Sequence, residues 1–208
     1  MPQLTLDGYR NFRRSYFNER EYLKSLAEGQ SPRALVIACC DSRVVPEIIT
    51  GSGLGDIFTL RNIANFVPGA REGIGASVGA AVEYAINHLS VPDVIVCGHT
   101  QCGGVEAAMG DIAPLRGEPS LYEWLSHVAP AVRSPARQGI TGAAGFRAAV
   151  ECNVLAGLAN LVTYRAASEA LNAGRIHLHG WVYDLATLGL SAFDADSGRF
   201  EPVQALSR

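Results

Sequence analysis

Residues 33–43 read RALVIACCDSR. A β-branched apolar run bounded by Pro32 and the charged Asp41 predicts a short buried strand. It ends on two thiols followed by an acid and a base. A second run of the same kind, DVIVCGH at residues 93–99, leads directly into TQCGG. Between the two lies SVGAAVEYAINHL, residues 77–89, in which Val78, Ala81, Val82, Ala85, Ile86 and Leu89 recur at helical spacing before Pro92 stops the helix. Residues 56–62, DIFTLRN, predict another strand. Strands alternating with helices imply parallel pairing through right-handed crossovers, hence an α/β fold with a mainly parallel central sheet flanked by helices.

Outward from this centre the pattern is more varied. Residues 8–28, rich in Arg, Glu, Tyr and Phe, predict one or two amphipathic helices ending near Gly29. LYEWLSHVAPAV (121–132) predicts a helix and SPARQGITGAAG (134–145) a loop. Residues 146–174 have strong helical periodicity and close on Gly174. RIHLHGWVYDLATLGLSAFDADSGRF (175–200) alternates like strands around a turn at Asp196-Ser197-Gly198, which suits an antiparallel C-terminal edge strand. With no internal repeat and no linker, the chain reads as a single domain, 1–208, with residues 1–30 a helical arm.

The 208 residues suffice for one hydrophobic core, and 48% hydrophobic with 18% charged residues is an ordinary globular composition. A formal net charge of −3 argues against a nucleic-acid partner. The basic group Arg10, Arg13 and Arg14 is interrupted by Glu19 and Glu21 and reads as a solvated helix face. The N-terminus lacks the pattern of a signal peptide, and no stretch reaches the roughly 18 apolar residues that would span a bilayer. A cytoplasmic protein with no membrane partner is therefore expected, with reduced thiols. Cysteines at 39, 40, 97, 102 and 152, odd in number and scattered, do not form a disulfide framework. Metal ligation or burial is left.

The strand at 34–38 delivers Cys39 at its carboxyl end, and the strand at 94–96 delivers His99 and Cys102 just past its own. In open parallel sheets the turns leaving neighbouring strands converge there and gather functional groups. Two thiolates and an imidazole suit Zn2+, and three protein ligands leave a fourth position for water, as in catalytic zinc sites. Taken singly, each half reads as readily as core packing or a chance H-x-x-C. The flanks CCDSR and GHTQCGG carry polar groups that packing does not explain.

Together, C-x-D-x-R at 39–43 and H-x-x-C at 99–102 resemble the β-class carbonic anhydrases, in particular their plant-like, open-site subgroup. The resemblance runs from about Gln30 to Met109, with a weaker likeness through LHGWVYDLATLGLSAFD (178–194). It implies one Zn2+ per chain held by Cys39, His99 and Cys102, with Cys40 in a variable position. It implies that Arg43 keeps Asp41 ionised and oriented, so that the free carboxylate oxygen accepts the proton of a zinc-bound hydroxide attacking carbon dioxide. The product would be bicarbonate, with one proton released. Gln30, Phe58 and Tyr84 stand at the offsets of the subgroup's substrate pocket, and the Gly103 N–H is expected near bicarbonate. The sequence does not reveal the proton shuttle: His88 and His127 are candidates, and each reads more readily as an ordinary surface or core histidine.

The resemblance further implies that part of the pocket wall comes from a neighbouring subunit. The N-terminal helices are then expected to extend onto a partner, in a homodimer or a tetramer, and Tyr9, Phe12, Tyr16 and Phe17 fit such a surface. Members with a closed, bicarbonate-regulated site carry a tryptophan where this chain has Val36, although Arg61 and Tyr183 resemble other parts of that regulatory pocket. Asp41 is accordingly expected to pair with Arg43. Two alternatives stand beside carbon dioxide hydration. A carbon disulfide or carbonyl sulfide hydrolase on the same scaffold is disfavoured by the intact Gln30/Phe58/Tyr84 set. A non-catalytic zinc, redox or bicarbonate-sensing module is disfavoured by the Asp41/Arg43 dyad.

Overall fold

In a computed structural model that describes residues 3–204, the opening stretch forms strand β1 (Ala34–Cys39), buried at all six positions. It lies between β2 (Ile57–Asn62) and β3 (Asp93–His99) and runs parallel to both. β4 (His177–Tyr183) pairs in parallel with β3, and the antiparallel strands β5 (Leu190–Asp194) and β6 (Arg199–Pro202) complete the order β2-β1-β3-β4-β5-β6. The expected antiparallel C-terminal edge is present as a two-stranded hairpin. Its turn is closed by Gly198 N–H donating to the Asp194 carbonyl at 2.9 Å, with Gly198 at φ 68°.

The chain leaves β1 outward to β2, then crosses back to lay β3 on the other side of β1. That reversal is a topological switch point, and the carboxyl ends of β1 and β3 diverge into a crevice there.

Alternation along the strands divides the core in two. Leu35 and Ile37 of β1 and Val94 and Val96 of β3 pack with Val82 and Ile86 of one helix and Val150 and Val154 of another. Ala34, Val36, Ala38, Ile95, Cys97 and Tyr183 pack on the opposite face. Fully burying each large aliphatic side chain contributes about 1.5–3 kcal/mol, which makes the central strands the best-secured part of the chain. Gly98 lets the second helix close onto β3, since a Cβ there would lie 2.8 Å from Val154 Cγ2 and 3.0 Å from Val150 Cγ1.

The helices keep the predicted order with two corrections. Residues 134–145 are not one loop. A short helix spans Ser134–Arg137, begun by Pro135, whose fixed φ suits the first helical turn, and a long helix already starts at Gly142. The expected continuous helix to Gly174 is broken into Gly142–Leu161 and Arg165–Asn172. The break has visible causes: Tyr164 Oη donates to the Pro68 carbonyl at 2.8 Å, and Ala70 N–H donates to Thr163 Oγ1 at 2.9 Å. Both draw the chain toward the 68–70 loop and out of helical register.

The chain divides at Ser31/Pro32 into two units. The N-terminal unit is a pair of helices, Gln3–Tyr16 and Arg20–Glu28, joined by aromatic contacts of Tyr16 with Phe12 at 5.1 Å and with Tyr22 at 6.2 Å between ring centres. Tyr9, Phe12 and Phe17 stay exposed. Residues 1–2 and 205–208 of the expected single domain lie outside the described residues. Among the described residues, no helix is long and apolar enough to cross a membrane.

Candidate metal centre

Cys39 is the last residue of β1 and His99 the last of β3, so the switch point sets them side by side. Cys102 follows after a tight turn in which Gln101 takes φ 56°, and it caps the helix Gly103–Met109. Gly104 makes the turn possible: a Cβ there would meet Ile63 Cγ2 at 2.8 Å and the Ala64 backbone nitrogen at 3.2 Å. Gly103 by contrast faces open space.

The two sulfurs lie 3.9 Å apart, and all three candidate ligand atoms fall within 4.8 Å of one another. Two sulfurs sharing a tetrahedral zinc at about 2.3 Å each stand about 3.8 Å apart, so the pair is already at coordination spacing. His99 is fully buried, and its Nδ1 is 2.8 Å from the Thr100 carbonyl oxygen. A carbonyl can only accept, which puts the proton on Nδ1 and leaves the Nε2 lone pair free. That Nε2 is buried without a protein partner. An orphaned buried acceptor is costly unless something occupies it, and here it faces two sulfurs. The donor set therefore fits zinc.

The protonation of the thiols points the same way. The Cys102 thiol hydrogen-bonds to Cys39, which pulls the Cys39 thiol down to about 4 and pushes Cys102 up. Cys97, pushed up to about 12 by burial, is a packing thiol, and Cys40 is exposed.

Asp41 sits at the rim of this cluster. Its Oδ1 accepts from the Arg43 backbone N–H at 3.0 Å and from Arg43 Nε at 2.9 Å, and its Oδ2 accepts from Arg43 Nη2 at 2.7 Å. These bonds hold the Asp41 carboxyl well below the usual carboxylate range. Oδ2 is also 4.0 Å from His99 Nε2. The Arg43 guanidinium is itself steadied by the Gln101 carbonyl, with Nη2 donating at 3.2 Å.

Some groups that shape the site were visible in the sequence without their role. Arg61 was noted only for its resemblance to a regulatory pocket. Here its Nε donates to the Cys39 carbonyl at 2.9 Å and its Nη2 to the Asp41 carbonyl at 2.7 Å, clamping the backbone that carries ligand and dyad. Tyr183, at the end of β4, accepts the Thr100 N–H on its carbonyl at 2.9 Å. Trp124, in the helix predicted over 121–132, donates Nε1–H to the Ile63 carbonyl at 2.9 Å and packs edge-on to Phe66. It fastens the corner against which Gly104 rests. No local motif marks such backbone contacts; only the register Ala38↔Arg61 puts the arginine within reach.

Phe58, Tyr84, His88 and His127 lie apart from this cluster. Phe58 and Tyr84 pack together, ring centres 5.9 Å apart, and Tyr84 stacks on His88 at 5.3 Å. Phe58 is level with Leu35, four residues before Cys39 on the neighbouring strand, or about 13 Å along the sheet from the sulfur cluster. His127 pairs with Glu72 at 3.1 Å. Gln30 is an exposed residue at the end of the N-terminal unit.

Comparison with known proteins agrees with this geometry. Residues 34–190 match the family described as Carbonic anhydrase. The chain is 44% identical to a carbonic anhydrase of Pseudomonas aeruginosa over 94% of its own length and 89% of the relative's. It is 42% identical to carbonic anhydrase 1 of Escherichia coli O157:H7 over 98% and 93%. The solved structure of the β-carbonic anhydrase CcaA superposes with a TM-score of 0.90 at 35% identity, covering 97% of this chain and 98% of that one. A tetrameric β-carbonic anhydrase from Sordaria macrospora superposes with a TM-score of 0.75 at 28% identity, covering 97% and 95%. With fold, ligand cluster and sequence in agreement over nearly its whole length, this chain belongs to the β-class carbonic anhydrase family.

Proposed function

We propose that the chain catalyses the reversible hydration of carbon dioxide to bicarbonate and a proton, with Cys39, His99 and Cys102 holding one Zn2+ and Asp41 and Arg43 acting as the orienting dyad. One observation carries this reading: the free, fully buried Nε2 of His99 converges with two sulfurs at zinc-ligand spacing, beside a carboxylate already locked by arginine. The two alternatives read from the sequence are not favoured, because the matched family and the curated relatives are carbonic anhydrases.

Bound zinc supplies Lewis acidity, which makes water nucleophilic at neutral pH. The protein's part is orientation. An ionised carboxylate has about four acceptor positions. Arg43 fills both on Oδ1 and one on Oδ2. The position left on Oδ2, on the side of His99 Nε2, accepts one O–H of the reacting water and turns a lone pair of that oxygen toward the substrate carbon. Because the guanidinium holds Asp41 ionised, this acceptor stays available across neutral pH.

Carbon dioxide is uncharged and needs an apolar wall with few donors. Gln30 and the Gly103 N–H are the donors in this reading, and Phe58 with Tyr84 the wall. Since that aromatic pair lies far along the sheet from its own chain's sulfurs, it serves the centre of a second copy in a homodimer, onto which the exposed aromatic face of the N-terminal helices also docks. Dimers can pair further into tetramers. A reducing compartment such as the cytoplasm suits two sulfurs held this close.

The test is zinc content and stopped-flow carbon dioxide hydration on one sample, beside a sulfide-release assay with carbon disulfide. One zinc per chain, rapid hydration and no sulfide release are expected. Stoichiometric zinc without hydration at any pH from about 6 to 9 would refute the reading.

A further inference from the structure

At the end of the sheet opposite the metal centre, two imidazoles and a carboxylate gather on one face. His177 and His179 alternate with Leu178 along β4, so both project from the same side, with ring centres 6.5 Å apart. Asp93, the first residue of β3, is the register partner of His177, and its Oδ1 lies 2.7 Å from His179 Nε2. The His179 and Asp93 side chains are 40% and 38% exposed, and His177 is exposed as well. The trio is remote from the zinc ligands: His99 is six residues further along β3, about 20 Å away.

We propose that Asp93, His177 and His179 form a second divalent-cation site, for the borderline ions that two imidazoles and one carboxylate suit: Zn2+, Ni2+ or Cu2+. Ligand atoms at about 2.1 Å from a shared ion stand about 3.0–3.4 Å apart. The His179–Asp93 pair therefore opens by only about half an ångström to admit one. The ion takes the place of the proton on Nε2, and that proton moves through solvent to Nδ1, leaving a neutral ring with its single proton there. Two imidazoles on one ion bring their ring centres to about 4.6–5.3 Å, so His177 swings inward by about 1–2 Å, a side-chain rotation that its exposure permits. Water completes the shell. The ligands rise from two hydrogen-bonded strands, so their backbones are already fixed. A solitary His–Asp contact would need no second histidine two positions along; the His-x-His spacing facing a carboxylate is what marks a chelate.

The experiment uses tag-free, zinc-saturated enzyme titrated calorimetrically with Ni2+, with retained zinc measured on the same sample. Cu2+ is then followed by electron paramagnetic resonance. One further equivalent of Ni2+ per chain is expected, bound at least tenfold more weakly in His177→Ala, in His179→Gln and in Asp93→Asn. The Cu2+ spectrum should show coupling to two nitrogens, falling to one in either histidine variant. Carbon dioxide hydration before Ni2+ or Cu2+ is added should be unchanged in all three variants, which shows that they are folded. No further equivalent, or one that survives both histidine substitutions, overturns the site.

Discussion

The sulfur cluster and the Phe58–Tyr84 patch differ in how far one chain can complete them. Cys39, His99, Cys102, Asp41 and Arg43 come together within one protomer, because the switch point brings the carboxyl ends of β1 and β3 side by side. Phe58 packs against the core and meets Tyr84, which stacks on His88, well along the sheet from the sulfurs. The difference teaches that chemistry and substrate enclosure are separable here. The first is written into the topology of one chain, whereas the second, in the function proposed above, is completed by a second copy.

The largest effect should come from His99→Ala. It removes the only ligand supplied by a ring nitrogen and leaves two sulfurs that cannot hold the ion alone. Zinc content by mass spectrometry should fall below one tenth of an equivalent, and kcat/KM by about a thousandfold or more. Retained zinc with retained turnover would separate the cluster from the chemistry.

Next is Asp41→Asn, in which the amide keeps the shape but cannot accept as an anion. Zinc should stay stoichiometric while kcat/KM drops about 100- to 1000-fold. Asp41 has a depressed pKa in the folded protein, so the stability its pairing contributes is present at neutral pH and is lost only as the pH falls below the ordinary carboxylate value. Acidification from pH 8 to 6 should therefore leave the Asp41–Arg43 pair intact, as monitored by carboxyl NMR shifts.

Arg61→Gln should cost less, about tenfold in kcat/KM with zinc retained, because it frees two carbonyls without touching the reactants. The smallest effect also tests the comparison most directly. Phe58→Ala should lower kcat/KM only about three- to tenfold. Mixing those chains with inactive His99→Ala chains should then recover wild-type kcat/KM in the mixed dimer, since one centre would combine intact ligands with an intact wall. Recovery shows enclosure across the subunit boundary, and a purely additive mixture shows that each wall serves its own chain.

How much the sequence discloses follows the same division. RALVIACC and DVIVCGH are legible as strands because their β-branched runs end abruptly in polar residues, and the ligand set follows from what those ends carry. The break at Val162–Tyr164 is not legible, because Val162, Thr163 and Tyr164 include neither Gly nor Pro and do not forbid continued helix. Long-range bonds from Asn160 to Val67, from Tyr164 to Pro68 and from Ala70 to Thr163 interrupt it. The carbonyl clamp by Arg61 hides for the same reason: backbone acceptors carry no residue signature, and the partner strand lies 20 or more positions away. The turn at Asp196–Gly198 is legible as a hairpin's tip, whereas the register of its arms against β4 is not, because it is set by long-range pairing.

Cys39 and Cys102 are separated by 63 positions. An ion gripping both works as a cross-link that ties the second half of the crossover back to its start, through β2 and the helix that precedes β3. A covalent link closing a loop of that size removes unfolded-state entropy worth on the order of 4 kcal/mol. Chelation should accordingly loosen the sheet at its best-packed seam as well as silence the enzyme, so metal supply would govern how long each molecule survives.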